Sequence, residues 1–442
     1  MKYSRFTYKI EGGMRVLKRK KEIESFLLRL GKRGRGVDEE VLSDVGRIIK
    51  AVRRRGDAAL KDFTRRLDGH ERISISRRLL DSLAAKADVE LVRALEFSAG
   101  RIRAFHERQA HKSWFLEEGG ARLGQVIRPL ERVGVYVPGG KASYPSSVLM
   151  NVIPAQVAGV REIAVAVPSP GGLLNPAVMA AIRLLGIGEV YSIGGAQAIA
   201  AFAYGTRTVR KVDKIVGPGN IYVAMAKKLV FGEVDIDMIA GPSEILIIAD
   251  SSARPDFIAA DMLSQAEHDE LASPVLVTDS GALALEVMNE IKRQLDGLSR
   301  KPVARKALEK WGAIILTKDL EEAVKIANLI APEHLEIMTK RPEAVLKGVK
   351  NAGAVFLGNW SPEPLGDYAA GPNHVLPTGG TARFFSPLGV YDFLKHTSYL
   401  KFSKEGFTKI SRAARTIAEA EGLTAHAKAM AIRENGTSRR GK

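Results

Sequence analysis

The sequence contains no cysteine among its 442 residues. This absence excludes disulfide bonds, thiolate metal ligands and cysteine nucleophiles, so any bound metal must use nitrogen and oxygen ligands. No apolar run approaches the roughly 18 residues that a membrane-spanning helix needs. The amino-terminal residues also lack the apolar core of a secretory signal. We therefore predict a cytoplasmic protein with no membrane partner.

Aromatic residues are scarce, at 6%, whereas the net charge is strongly positive, at +17. Such a charge can indicate a nucleic-acid-binding protein. However, the basic residues are spread along the chain, and their densest clusters, such as 18–21 and 53–55, have no interleaved aromatic residues. We therefore predict a solvated basic surface and no nucleic-acid partner. A hydrophobic content of 45% and this length indicate a globular protein with two or more lobes.

The order of predicted elements indicates the fold class. Residues 41–67 and 89–109 carry apolar side chains at helical spacing, and from residue 126 β-rich runs alternate with helical stretches. The predicted strands are 132–137, 162–167, 190–193, 214–216, 244–248, 274–277, 313–316 and 335–338. The predicted helices between them are 147–157, 196–204, 255–267, 282–295 and 320–330. This alternation predicts two parallel α/β lobes of Rossmann-like type, followed by a helical pair over 408–433.

Gln265 and His268 form the clearest chemical signature. In a helix, a spacing of three places both side chains on one face, where an amide oxygen and an imidazole nitrogen can bind zinc. Two ligands do not make a site. Downstream, the chain offers Asp367, His426 and the adjacent acid–base pair Glu333-His334, each of them weak when taken alone.

Two glycine turns follow predicted strands and precede helices. Gly194-Gly195 and Gly217-Pro218-Gly219 resemble phosphate-binding turns, but neither has the GxGxxG fingerprint of the usual dinucleotide fold. Each is as often an ordinary tight turn as a cofactor loop. Gln197 and Asn220 follow these turns and could bind a nucleotide. Tyr136 ends a predicted strand, where a ligand contact and a core position are equally expected.

The other histidines differ in their surroundings. We predict that His70, His106 and His111 lie on the surface, because they occupy a turn and a charged helix. His374 lies in a glycine-rich loop seven residues after Asp367, which favours a position near a site.

Taken together, the motifs resemble the histidinol dehydrogenase family over residues 38–433. The motifs that carry the resemblance are Val135-Tyr136-Val137-Pro138-Gly139-Gly140, Gly194-Gly195-Ala196-Gln197-Ala198-Ile199-Ala200, Gly217-Pro218-Gly219-Asn220, Ala240-Gly241-Pro242-Ser243-Glu244, Gln265-Ala266-Glu267-His268, Ala331-Pro332-Glu333-His334-Leu335-Glu336, Gly366-Asp367-Tyr368, Asn373-His374-Val375-Leu376-Pro377-Thr378 and Glu421-Gly422-Leu423-Thr424-Ala425-His426.

The resemblance assigns roles to particular residues. It implies one zinc ion per subunit, bound by Gln265, His268, Asp367 and His426. It implies that Glu333 and His334 are the catalytic acid–base pair and that NAD contacts Tyr136, Gln197 and Asn220. The substrate contacts implied are Ser243, Gln265, His268, His334, Asp367, His374, Glu421 and His426. The family is a homodimer whose C-terminal segment crosses to the partner, so His374, Glu421 and His426 are expected to serve the neighbouring site.

The resemblance also implies a reaction and a division into domains. The reaction is the oxidation of L-histidinol through L-histidinaldehyde to L-histidine by two NAD molecules. One alternative is a paralogous dehydrogenase of another small polar alcohol, and a more distant one is a non-catalytic basic binding protein. The predicted divisions are an N-terminal segment 1–31, a larger lobe 32–134 with 244–386, an NAD-contacting lobe 135–243, a helical segment 387–433 exchanged in the dimer, and a disordered basic tail 434–442.

Overall fold

The computed structural model describes residues 14–33, 39–139 and 144–435. The chain divides into two compact units, Met1–Gln109 with Glu131–Phe393 and Ala110–Leu130 with Leu394–Lys442. Gly140 of the first motif and residues 436–442 of the predicted tail lie outside the described residues. Within the described ranges, no helix is both long and apolar enough to cross a membrane.

The elements alternate as the sequence predicts for an α/β protein. The strands are β1 (Arg15–Leu17), β2 (Ser74–Ile75), β3 (Trp114–Glu118), β4 (Ala121–Pro129), β5 (Arg132–Tyr136), β6 (Glu162–Ala166), β7 (Glu189–Tyr191), β8 (Lys214–Val216), β9 (Asp235–Ile236), β10 (Glu244–Ala249), β11 (Ser273–Thr278), β12 (Ala313–Leu316), β13 (His334–Met338), β14 (Ala354–Leu357) and β15 (Leu394–Phe402). The helices are α1 (Lys20–Lys32), α2 (Glu39–Arg55), α3 (Asp57–Asp68), α4 (Arg77–Ala84), α5 (Val89–Glu107), α6 (Pro145–Ala158), α7 (Pro176–Leu184), α8 (Gly195–Tyr204), α9 (Ile221–Val230), α10 (Pro255–Ala266), α11 (Gly281–Leu295), α12 (Lys301–Trp311), α13 (Leu320–Ile330), α14 (Pro342–Leu346), α15 (Glu363–Tyr368), α16 (Lys404–Ala420) and α17 (Thr424–Asn435).

The first unit contains a six-stranded sheet of order β1-β12-β11-β10-β13-β14, in which all pairs are parallel. Helices cover both faces: α10, α11 and α12 pack on one, and α1 and α13 pack on the other. Because both faces are covered, β10 is apolar after its first residue and buried throughout. We call this sheet the first sheet.

A second six-stranded sheet in the same unit has the order β2-β7-β6-β5-β8-β9. All its pairs are parallel except the short edge pair β2–β7. The alanine-rich helix α8 lies in its core together with residues of α2 and α3. Gly134 in β5 is required because a Cβ there would lie 2.8 Å from the ring of Phe202. Residues of α2, α3 and β2 thus pack with β5–β9. The domain boundaries that were predicted from the sequence stay predictions.

The second unit is a three-stranded antiparallel sheet, β15-β4-β3, with the helical pair α16 and α17. The pair is joined where Glu434 accepts hydrogen bonds from Ser411 and Arg415, both at 2.7 Å. The helical pair was predicted from the sequence, whereas the antiparallel sheet was not. The fold class, α/β with two mainly parallel sheets, is confirmed.

Candidate active site

Glu333 and His334 lie at the amino end of β13, beside the amino end of the neighbouring strand β10. The main chain of Glu244 contacts both side chains. Its N–H donates to Glu333 Oε2 at 2.9 Å, and its carbonyl lies 2.9 Å from His334 Nδ1. A carbonyl oxygen can only accept, so Nδ1 carries the proton. The basic nitrogen of neutral His334 is therefore Nε2.

His334 is buried, and burial lowers its pKa because the charged form loses its hydration. The nearby Asp367 acts in the opposite direction, and the neighbouring His268 and His374 lower the pKa further. The ring is therefore neutral at pH 7, which leaves Nε2 free to accept a proton.

Glu333 is also buried, and burial raises its pKa well above the ordinary value. The carboxyls of Glu244 and Asp367 raise the pKa further, while the Glu244 N–H and Arg33 lower it. A raised pKa makes the carboxylate a stronger base than an exposed glutamate, as general-base catalysis requires.

Two carboxyl groups from the short helix α15 face the basic nitrogen of His334. Glu363 Oε1 lies 3.6 Å and Asp367 Oδ1 3.9 Å from His334 Nε2. One potential ligand atom from each of the three residues lies within 4.8 Å of the others. Burial and the adjacent Asp367 raise the pKa of Glu363 to about 10. Glu363 was missed by the sequence analysis.

Helix α15 is held in place by a carboxyl from the middle of β13. Glu336 Oε1 accepts a hydrogen bond of 2.8 Å from the N–H of Glu363, at the first residue of α15. Glu336 is in turn hydrogen bonded to Asp261, and burial raises the pKa of Asp261 to about 6. The helix that carries Glu363 and Asp367 is therefore fixed to the first sheet at its amino terminus.

His374 lies beside Asp367 of the same chain, which contradicts the expectation that it serves the neighbouring subunit's site. Its Nδ1 is 3.0 Å from the Asp367 carbonyl oxygen and 3.9 Å from Asp367 Oδ1. Burial lowers the pKa of His374, and Asp367 opposes this effect. Asp367 therefore joins His334 and His374 in one cluster.

Gln265 and His268 lie where α10 ends. The helix stops at Ala266, and His268 continues the turn by donating its N–H to the Gln265 carbonyl at 3.2 Å. Gln265 is 1% exposed, and its Oε1 has no hydrogen-bond partner within the described ranges. His268 lines a cavity of about 490 Å³ together with Leu95, Tyr144 and Tyr368. The charge of His268 also lowers the pKa of His334 and of His374.

The donors of this cluster fit a divalent metal. In the cluster, Glu363 Oε1 and His334 Nε2 are buried polar atoms without a hydrogen-bond partner in the described part of the chain. Gln265 Oε1, at the end of α10, is a further buried oxygen without such a partner. Buried polar atoms are normally satisfied, so an unsatisfied set beside a carboxylate indicates a bound group. Oxygen and imidazole nitrogen donors suit zinc, and the chain has no cysteine to compete.

The residues predicted to contact a nucleotide lie at the carboxyl ends of strands in the second sheet. Tyr136 ends β5, and its buried hydroxyl accepts a hydrogen bond of 3.1 Å from the N–H of Gly195. Burial raises the pKa of Tyr136 to about 12. Gln197 is buried and its Oε1 has no partner among the described residues. Asn220 caps α9 through hydrogen bonds from two backbone N–H groups.

The remaining predicted residues lie in two places. Ser243 precedes β10, next to Glu244, and is partly buried. Glu421 caps the carboxyl end of α16, and His426 lies in α17. Both of these residues belong to the second unit, and both are exposed.

The prediction that His106 lies on the surface is wrong, because this residue is 0% exposed. Its Nδ1 lies 2.8 Å from the Ile102 carbonyl, and its Nε2 lies 3.4 Å from the Asn373 amide. Asn373 precedes His374, so His106 contacts the loop that carries a residue of the cluster.

The fold and this cluster define an α/β enzyme with a buried acid–base pair. A model of the histidinol dehydrogenase family matches residues 32–434. The chain belongs to the histidinol dehydrogenase family, whose members are oxidoreductases.

Individual relatives agree with this assignment. Histidinol dehydrogenase of Aquifex aeolicus is 56% identical over 92% of this chain and 95% of its own length. The enzyme of Syntrophotalea carbinolica is 52% identical over 91% of this chain and 94% of its own length. The crystal structure of histidinol dehydrogenase from Elizabethkingia anophelis has a TM-score of 0.90 and 36% identity, covering 95% of this chain and 98% of that one.

Proposed function

We propose that the protein is a zinc-dependent, NAD-linked enzyme that oxidises L-histidinol through L-histidinaldehyde to L-histidine, the last steps of histidine biosynthesis. The observation that carries this proposal is the buried cluster of His334, Glu363 and Asp367 beside Glu333, in a chain of this family.

The metal would be held by Gln265, His268 and Asp367, together with His426 of the partner subunit. Zinc bound by these residues would polarise the substrate and provide an anchor for its imidazole and amine. Two observations support zinc at these residues. Gln265 Oε1 is buried without a hydrogen-bond partner in the described part of the chain, and the sequence has no cysteine thiolate that could bind the metal instead. Glu363, which faces the same point, is a further oxygen donor available there.

NAD would be held by Tyr136, Gln197 and Asn220 at the carboxyl ends of strands in the second sheet, where ligands gather in open parallel sheets. Bound there, it would accept the hydride in each oxidation.

His334 would act as the base in both oxidations. Its Nδ1 proton is committed to the Glu244 carbonyl, and its Nε2 faces the cluster. Nε2 would take the proton of the substrate hydroxyl in the first oxidation and the proton of the hydrated aldehyde in the second. Burial makes neutral His334 the predominant form at pH 7.

Glu333 would activate the water that adds to the aldehyde. Its Oε2 lies 3.7 Å from His334 Nδ1 and is held by the Glu244 N–H. The buried carboxylate would remove a proton from the water as it adds to the carbonyl carbon. A buried site would also retain the reactive aldehyde between the two oxidations.

The acidic character of the cluster favours this substrate over the alternative, a paralogous dehydrogenase of another small polar alcohol. The carboxyl oxygens of Glu333, Glu363 and Asp367 can accept hydrogen bonds from an amino alcohol, whereas an acidic or sulfonated substrate would bring further acceptors against them. The basic non-catalytic binding protein is disfavoured by the same buried cluster, which such a protein would not need.

The wild-type enzyme should form two NADH per L-histidinol consumed, because both oxidations occur at one site. NADH absorbance measured against substrate loss gives this ratio.

Treatment with a chelator should abolish turnover, and added zinc should restore it. One NADH per substrate would exclude the second oxidation, and full activity without metal would exclude the proposed ligands.

Replacing Glu333 by glutamine should impair the second oxidation more than the first, because only the second requires an activated water. We expect a loss of about 10²–10³-fold for L-histidinaldehyde as the substrate and a much smaller loss for the first step. The two rates are measured separately by single-turnover NADH formation from each substrate.

The matched control is Glu343→Gln, which removes an exposed carboxylate on α14 and should change neither rate. Equal losses in both oxidations would contradict the role proposed for Glu333.

A further inference from the structure

Arg33 is a buried cation that follows α1 and is 4% exposed. Its guanidinium bonds to residues 242–244 and to Leu271, all in the first unit. Nη1 donates to the carbonyls of Leu271 at 2.6 Å and Ser243 at 3.3 Å, and Nη2 donates to the carbonyl of Pro242 at 3.3 Å. Nη2 also forms an ion pair with the Glu244 carboxylate. The planar guanidinium, with donors in a fixed fork, thus holds residues 242–244 at three points and Leu271 at a fourth.

The helix that carries Arg33 is itself anchored. Phe26 and Leu30 of α1 are buried in the core on one face of the first sheet. The guanidinium also lies over the ring of Trp311, 6.0 Å from its centroid. Arg33 therefore reaches residues 242–244 from a rigid base.

The segment held by Arg33 is the one that orients the acid–base pair. The N–H of Glu244 holds Glu333, and the carbonyl of Glu244 holds His334. One peptide segment thus fixes the carboxylate and the imidazole tautomer together. A shift of this segment would move both groups relative to the substrate.

We propose that Arg33 is a positioning residue for catalysis, which fixes the main chain of Glu244 and through it the orientation of Glu333 and His334. This inference rests on the roles given to the two residues in the proposed function. It gives residues at the amino-terminal end of the chain a task in catalysis, although neither their sequence nor the family resemblance assigns one.

A simpler role for Arg33 would be to neutralise Glu244. Breaking a buried ion pair from one side leaves an unpaired charge, which destabilises a protein whatever its active site does. The two roles differ when both charges are removed. The double variant Arg33→Met with Glu244→Gln has no unpaired charge, but it still lacks the guanidinium bonds to the carbonyls of Pro242, Ser243 and Leu271.

The full-length enzyme is assayed as Arg33→Met, Arg33→Lys and the double variant. We expect Arg33→Met to lower kcat for both oxidations about 10–100-fold, with a few-fold change in KM and normal zinc content, because outer-shell positioning typically has this magnitude. Arg33→Lys keeps the charge but loses the fork, so it should recover only part of kcat. The double variant should regain the wild-type Tm without regaining kcat. Lys32→Met, which removes an exposed charge one residue away, is the control and should match the wild type.

Hydrogen exchange of the same variants measures the geometry without activity. Arg33→Met should increase exchange in peptides covering 242–246 and 333–336 and leave β6, in the second sheet, unchanged. Recovery of both Tm and kcat in the double variant, or unchanged exchange and kcat in Arg33→Met, would overturn the inference. A wild-type enzyme that does not oxidise L-histidinol would refute the proposed function, while the exchange data would still decide whether Arg33 holds the segment.

Discussion

Replacing His334 by asparagine should lower kcat by about 10²–10⁴-fold, which is the usual contribution of a general base. The asparagine amide can still donate to the Glu244 carbonyl, so the local structure should persist. What the variant lacks is the nitrogen that faces Glu363 and Asp367 and accepts the substrate proton. The measurement is NADH formation at saturating L-histidinol, with zinc content determined in parallel.

The control is His111→Asn, a change at an exposed histidine of the second unit, which should leave kcat unchanged. If His334→Asn retained zinc and more than about a third of the wild-type kcat, another group would have to be the base.

Much of the fold follows from short-range patterns in the sequence. The strands of the parallel sheets were recognisable because buried parallel strands are continuous apolar runs bounded by glycine and proline. The segment 244–248 was predicted as a strand, and β10 spans Glu244–Ala249. In contrast, β4 pairs with β3 and also with β15, which lies more than 260 residues further along the chain. All five residues of β3 are exposed, so its sequence has no alternation of buried apolar and exposed polar residues that would predict a strand.

The site was less predictable than the fold, because it lies at an unexpected end of a sheet. Ligands in open parallel sheets usually gather at the carboxyl ends of strands, and Tyr136 lies at such an end. Glu333 and His334 instead lie at the amino end of β13. The family resemblance predicted a role for these two residues, whereas fold rules alone direct attention to the carboxyl ends of the strands.

No pattern in the sequence indicated that Glu363 would lie near the site. It joins the cluster because Glu336, in β13, holds the amino terminus of α15 against the first sheet, and this contact spans 27 residues of chain. His106 did have a signal. It continues the buried face formed by Leu95, Ser98 and Ile102 at helical spacing, and the charged residues on the opposite face concealed it.

The prediction that the site is shared between two subunits concerns His426, which is exposed on the second unit of the chain. Exposed apolar side chains on that unit support a partner copy, because large exposed apolar groups often mark interfaces. They are Trp114, Leu116, Leu400, Ile410, Ile417 and Ile432.

His426→Asn alone should lower kcat about 100-fold or more, because even residues that only hydrogen bond to the ligands of a metal contribute about 10–100-fold.

Mixed dimers decide which subunit His426 serves. Copies carrying His334→Asn and His426→Asn are co-expressed with different tags, and dimers that retain both tags are isolated. If His426 completes the partner's site, one of the two sites in each mixed dimer contains both native histidines, and activity should return to about half of the wild-type value. If His426 serves its own subunit, every site lacks one histidine, and the mixed dimers should be no more active than the better single variant. Dimers of two differently tagged His334→Asn copies have no complete site under either arrangement, so they give the background against which the recovery is measured.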